Sequence, residues 1–225
     1  MQLKNVYEQI DALAPFALSK EYCDTYKFYD NSGVIVDCGG EVRGVLCSLD
    51  LSMRAVEEAK KAGANVIVTH HPAIYQPVSS LKQDSAVLAC AQAGISVISA
   101  HLNLDSAAGG IDEELMLGLG GISGRSMHIL TDGSYGKAFA VHEEPLDSFV
   151  ARVKARFQTE RVVVYGTRPV KKVASFCGAG MDDETVAFAL AEGADTFVSS
   201  DAKHHHIAAL VEHGVNVVLL THYAA

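Results

Sequence analysis

Val66-Ile67-Val68-Thr69-His70-His71-Pro72 is the stretch on which the reading of this chain turns. Its first residues are β-branched and apolar without alternation, the pattern of a short strand covered by helices on both faces. Two imidazoles follow where that strand ends. The same arrangement occurs twice more. Val97-Ile98-Ser99-Ala100 runs into His101-Leu102-Asn103-Leu104-Asp105, and Val217-Val218-Leu219-Leu220-Thr221 runs into His222. Open α/β sheets bind their ligands just beyond the carboxyl ends of the strands. His70, His71, His101, Asp105 and His222 are therefore candidate metal ligands. Imidazole and carboxylate without thiolate suit Zn, Mn, Fe, Co or Ni rather than a closed cysteine zinc. Adjacent histidines on an irregular loop can approach two ions from different sides. A carboxylate such as Asp105 can bridge ions about 3.5–4 Å apart. The histidines alone would also suffice for a single ion.

Working outward, Leu3, Val6, Ile10 and Leu13 repeat at helical spacing up to Pro15. Strands are expected at 34–36 and 42–49, on either side of Gly39-Gly40. Ser52 can cap a helix that Gly63 ends, and a further helix over about 84–93 stops at Gly94. After a helix near 111–118 comes the glycine-rich segment Gly118-Leu119-Gly120-Gly121-Ile122-Ser123-Gly124, read as a linker. Strands near 126–130 and 136–142, a helix opened by Pro145, and strands at 161–165 and 172–177 follow. Strand–helix alternation resumes to the end, with helices at 182–192 and 202–213 and strands at 195–199 and 215–220. The expectation is an α/β chain of two lobes, 1–121 and 122–225. Each is an α/β/α sandwich with a mostly parallel sheet and helices on both faces.

The 225 residues carry 18 Lys+Arg against 27 Asp+Glu, a formal charge of −9, with no basic run longer than a pair. That argues against binding a nucleic-acid backbone. Nothing approaches the ~18 apolar residues of a membrane helix, and the first residues carry Glu8 and Asp11 rather than a signal-peptide core. A cytoplasmic location is expected. The five cysteines are widely spaced and mostly set in apolar runs, as reduced core thiols would be.

The ordered set Tyr29-Asp30-Asn31-Ser32-Gly33, Leu49-Asp50, Val68-Thr69-His70-His71-Pro72, His101-x-x-x-Asp105, Gly178-Ala179-Gly180, Asp201-Ala202-Lys203-His204-His205 and Thr221-His222-Tyr223 resembles one family over nearly the whole chain. It is the family of GTP cyclohydrolase 1 type 2 homologues, also called Nif-three-like proteins. The resemblance implies a dinuclear metal centre in a two-lobed α/β/α subunit, and a toroidal homohexamer. It implies His70, His71, Asp105 and His222 as ligands, with His101 beside them. The family's closing motif is His-x-x-x-Glu, whose Glu is a ligand and would follow Ala225. Either the sequence stops one residue short of that Glu, or the ligand is lacking and water or the α-carboxylate of Ala225 would take its place and hold one ion more weakly. Ser200 stands where the family usually has Gly, and the inserted domain of larger members is not expected.

Asp201 reads as the N-cap of the helix containing Lys203-His204-His205-His206. Four successive helical residues fan over roughly 300°, so not all three imidazoles can serve one ion. His205 and Asp201 are candidates for supporting the metal ligands rather than joining them. Gly178-Ala179-Gly180 reads as a tight turn rather than a phosphate cradle, because Asp182-Asp183 occupies the phosphate position. Asp50 ends a strand and reads as a helix cap or a cleft residue, with capping favoured. Two functions fit: metal-dependent hydrolysis of a nucleotide or related small molecule, or a non-catalytic metal-binding ring that presents a surface to a partner. No spacing singles out a general acid, so catalytic residues stay unassigned.

Overall fold

Pro15 closes the first helix, as expected, and also opens a second. A computed structural model describes residues 1–225. In it α1 (Leu3–Leu13) is followed at once by α2 (Phe16–Tyr26), with Pro15 at the N-cap of the second. A proline fits there because its ring sets φ near −65° and the missing N–H has no intrahelical partner to lose. The Asp11 carboxylate accepts from Phe16 N at 2.9 Å and so serves one exposed amide of the new helix. α2 is not expected from the sequence pattern, because its buried residues Phe16, Leu18, Ser19 and Tyr22 include a polar one, which blurs the apolar stripe.

The chain forms two compact units, Met1–Ala107 and Ala108–Ala225. The first contains β1 (Gly33–Val36), β2 (Val45–Ser48), α3 (Met53–Ala62), β3 (Val66–Thr69), α4 (Ala86–Ala93), β4 (Ser96–Ser99) and α5 (Leu102–Ser106). The sheet order is β1-β4-β3-β2, so β1 and β2, neighbours in sequence, form opposite edges. β2, β3 and β4 run parallel, and β1 is antiparallel to β4. The Ser52 side chain caps α3 by accepting from Ala55 N at 3.2 Å, and Gly63 closes it in the left-handed conformation at φ +70°. Alternate strand residues point to opposite faces. Ile67 and Val97 pack with Val56, Ala59 and Cys90 of α3 and α4. Val66 and Ile98 pack with Leu3, Val6 and Phe16 of α1 and α2. Both faces are thus covered, which explains the unalternating apolar run in β3. Cys47 departs from the expectation of a core thiol: it is exposed, because β2 is an edge strand whose alternate residues face outward.

The second unit contains α6 (Ile111–Gly118), β5 (Arg125–Leu130), β6 (Gly133–Glu144), α7 (Leu146–Arg156), β7 (Val163–Tyr165), β8 (Val170–Ser175), α8 (Asp183–Ala191), β9 (Thr196–Ser199), α9 (His204–Glu212) and β10 (Asn216–Leu219). Its sheet order is β5-β6-β8-β9-β10-β7. Only β8-β9 and β9-β10 are parallel, while β5-β6, β6-β8 and β7-β10 are antiparallel. This corrects the mostly parallel expectation. The hairpin β5-β6 turns over two residues, too few for the crossover that a parallel pair requires. Val173 and Val218 pack with Leu115, Phe149 and Val153 of α6 and α7. Ala174 and Val217 pack with Val186, Ala189 and Leu210 of α8 and α9. The glycine-rich segment after α6 belongs to this unit. Gly121 is there for packing: a Cβ on it would lie 2.4 Å from the Phe139 ring. No helix is long and apolar enough to cross a membrane.

Candidate metal centre

The backbone of β3 stays anchored past its end. His70 N donates to Ser48 O at 3.2 Å and His71 N to Leu49 O at 3.0 Å. Thr69 Oγ1 donates to His71 O at 2.8 Å and shares a 2.8 Å hydrogen bond with Ser99 Oγ. Both imidazoles therefore project from a fixed main chain.

Their rings are fixed too. His70 Nδ1 lies 2.9 Å from the Ala100 carbonyl, which can only accept, so Nδ1 carries the proton and Nε2 keeps its lone pair. His71 Nδ1 lies 2.7 Å from Asp50 Oδ1, and His101 Nδ1 lies 2.8 Å from Asp30 Oδ1. Asp30 is fully buried at its side chain and accepts further hydrogen bonds from Ser19 and Ser32, each at 2.6 Å. Ser32 Oγ in turn accepts from His101 N at 3.0 Å, so Asp30 and Ser32 grip both ring and backbone of His101. Burial alone would push the Asp30 carboxyl up, but the hydrogen bonds from His101, Ser19 and Ser32 outweigh it and hold the group at about 2. Burial likewise works against the His101 cation. The Asp30 hydrogen bond and the charges of Asp105 and Asp30 more than offset it and raise the imidazole above its ordinary value.

α5 carries Asp105 one turn beyond His101. Its Oδ1 lies 3.6 Å from His70 Nε2. One donor atom each from His70, His101 and Asp105 falls within 4.8 Å of the others, so this trio could hold a metal ion. Ligands about 2.0–2.1 Å from a tetrahedral ion lie roughly 3.3–3.4 Å apart, and the His70–Asp105 separation needs only a small closure. His71 stands beside the trio, its ring centroid 5.1 Å from that of His70 and 5.9 Å from that of His101.

In the second unit, His222 has the same kind of support. Its Nδ1 lies 2.5 Å from Asp201 Oδ2. Asp201 was expected to cap α9, but that helix has Lys203 at its N-cap and no side-chain capping bond. The Gly178 turn approaches His222: a Cβ on Gly178 would meet His222 Cε1 at 3.8 Å, and its φ of +61° suits glycine. Ser199 and Ser200 hydroxyls both donate to the Gly178 carbonyl, so Ser200 ties this turn down. His205 lies beside His206, with ring centroids 4.1 Å apart.

Of the two roles open to Asp50, the helix cap falls to Ser52, and Asp50 orients His71. Asp30 is not among the site residues expected from sequence, although Tyr29-Asp30-Asn31-Ser32-Gly33 is one of the stretches that carry the resemblance. No local spacing, however, links Asp30 to an imidazole 71 residues away.

A family model described as Duf34/NIF3 (NGG1p interacting factor 3) matches residues 1–225. The chain belongs to the DUF34/NIF3 family. Its family relatives include a GTP cyclohydrolase 1 type 2 homolog of Clostridium perfringens, 26% identical over 234 residues, covering 99% of this chain and 86% of the relative. The NGG1-interacting factor 3 of Saccharomyces cerevisiae is 27% identical over 251 residues, covering 95% and 85%. Among solved structures, reduced HcgD from Methanocaldococcus jannaschii superposes with a TM-score of 0.84 at 25% identity, over 100% of this chain and 88% of that one. A Bacillus cereus protein related to NIF3 has a TM-score of 0.85 at 20% identity, covering 99% and 88%, and shares the NIF3 fold.

Proposed function

We propose that this DUF34/NIF3 member is a metal-dependent hydrolase acting on a nucleotide or related small molecule. Its centre would take two divalent transition-metal ions on His70, His71, His101, Asp105 and His222. One observation carries the reading: each of the four imidazoles has its Nδ1 held by an acceptor, the support that orients a histidine to bind metal through Nε2. Such an arrangement costs side-chain freedom and three carboxylates, and a set of merely solvated histidines has no use for it. The donor set fits the ion: imidazoles and a carboxylate, no thiolate. A divalent ion bound there supplies Lewis acidity and lowers the pKa of its water toward ~7.

The chain's own residues do the positioning. Asp30 and the Ala100 carbonyl orient His101 and His70 toward Asp105. Asp50 orients His71, which would serve a second ion. Asp201 does the same for His222, which joins the set on the family resemblance. The nucleotide class rests on the name of the clostridial relative. The partner-binding name of the yeast relative favours a second reading, in which the metal centre is structural and the protein binds another. By the same resemblance we propose a hexameric ring, for which light scattering should give six times the chain mass.

The test is turnover of a panel of nucleotides and phosphoesters by chelator-treated protein reloaded with Zn, Mn, Fe, Co or Ni. Metal-dependent turnover lost in His71→Ala supports the enzyme. A metal-loaded protein that turns over nothing, and whose partner capture survives His71→Ala, supports the second reading. Metal content unchanged in both His70→Ala and His101→Ala would overturn the centre itself.

A further inference from the structure

We propose that Asp183, His205 and His206 form a separate, exchangeable site for a divalent transition-metal ion of the zinc class. It does not depend on the centre described above. Asp183 opens α8 and the two histidines lie in the first turn of α9. His206 Nε2 lies 3.1 Å from Asp183 Oδ1. Successive helical residues diverge by about 100°, yet the His205 and His206 rings lie only 4.1 Å apart. One donor atom from each of the three residues falls within 4.8 Å of the others. The 3.1 Å edge is close to the roughly 3.3 Å that separates two ligands of a tetrahedral ion.

The burial pattern separates this cluster from an ordinary surface ion pair. The Asp183 side chain is 95% exposed, so water already serves its charge and the bond to His206 adds little. His206 is the opposite case. It is 4% exposed, and its Nδ1 has no hydrogen-bond partner. An imidazole buried with one ring nitrogen unserved costs free energy whichever tautomer it takes. What it gains is a fixed ring whose Nε2 faces a carboxylate and a second imidazole. A cation near helix N-termini meets the positive end of the helix dipole. Here the Asp182 carboxylate at the N-cap of α8 and those of Asp183 and Glu184 in its first turn offset that field.

Two imidazoles and one carboxylate leave at least one position on the ion to water. No carboxylate or carbonyl accepts from His206 Nδ1, unlike the Nδ1 atoms of His70, His71, His101 and His222. Lacking that support, the site should bind about 10–100-fold more weakly than one that has it, so the ion exchanges.

The experiment uses the full chain carrying His70→Ala and His101→Ala, stripped with chelator and titrated with Co²⁺. The expected result is one equivalent of Co²⁺ per chain with a four-coordinate visible spectrum, lost when Asp183→Asn is added. Asp183 is exposed, so that change leaves the fold intact. His206→Asn should abolish the same equivalent. Asp183→Asn in the otherwise unaltered chain should also remove one equivalent and leave the rest. No Co²⁺ uptake by the double variant, or uptake indifferent to Asp183→Asn, overturns the proposal. The fate of the first centre is read separately, from the difference between the unaltered chain and the double variant.

Discussion

Replacing Asp30 with asparagine separates the two duties that the structure gives this residue. The side chain keeps its shape, so His101 Nδ1 still meets an oxygen, and the Ser19 and Ser32 hydroxyls can rotate to accept from the new amide. What disappears is the charge. Holding the carboxyl at about 2 instead of its usual 3.8 favours the folded, ionised form by about 2 kcal/mol. Because the folded pKa is depressed, that stability is present above ~4 and fades as the pH falls toward 2. At neutral pH Asp30→Asn should therefore lower the Tm of metal-free protein by about 4–8 °C. It should also weaken metal binding about 10–100-fold, the usual effect of removing a carboxylate behind a metal-bound imidazole. Ser19→Ala is the control. It removes one hydrogen bond from Asp30 at 2.6 Å and leaves the His101 contact in place, so it should lower the Tm without changing metal affinity. Chelator-competition titration and thermal melts of the two variants decide the matter. The reasoning is refuted if Asp30→Asn binds metal as tightly as the unaltered chain, or if Ser19→Ala weakens metal equally.

Asp50→Asn should weaken metal less than Asp30→Asn, because the Asp50 side chain is 64% exposed and water can replace it at His71; equal losses in the same titration would contradict this. Burial pushes the Asp112 carboxyl up to about 6 despite its 3.3 Å ion pair with Lys137. A raised carboxyl contributes stability at low pH that is lost between about 4 and 6. Urea melts should thus show the unaltered chain losing stability relative to Asp112→Asn across that window, and a difference constant from pH 4 to 8 would contradict the assignment. Ser52→Ala removes the α3 cap and should cost about 1 kcal/mol, measured by the urea midpoint.

Much of this architecture is legible in the residues because local and tertiary demands agree. Ser52 and Gly63 bracket α3 by capping chemistry alone, and β3 announces its burial by lacking alternation. α2 is less legible, since its helix is held by a proline start and by packing on residues far away in sequence. The direction of the second sheet is hidden for a similar reason: strand lengths and apolar content do not say which strand returns beside which. In the candidate centre the histidines stand out because their positions follow strand ends. Asp30, Asp50 and the Asp201–His222 contact do not, because each joins residues separated by 21 or 71 positions. An aspartate before a helix has a ready local explanation, which favours capping for Asp50, although the structure gives the α3 cap to Ser52 and the Asp50 contact to His71.

The hydrogen bonds behind the four imidazoles are all made by the protein with itself. On the proposed reading, a metal ion would arrive at ligands already turned to receive it. Unlike small zinc domains, which unfold when stripped, a chain built this way would keep its shape through a period of metal scarcity, its imidazoles held ready for the ion's return.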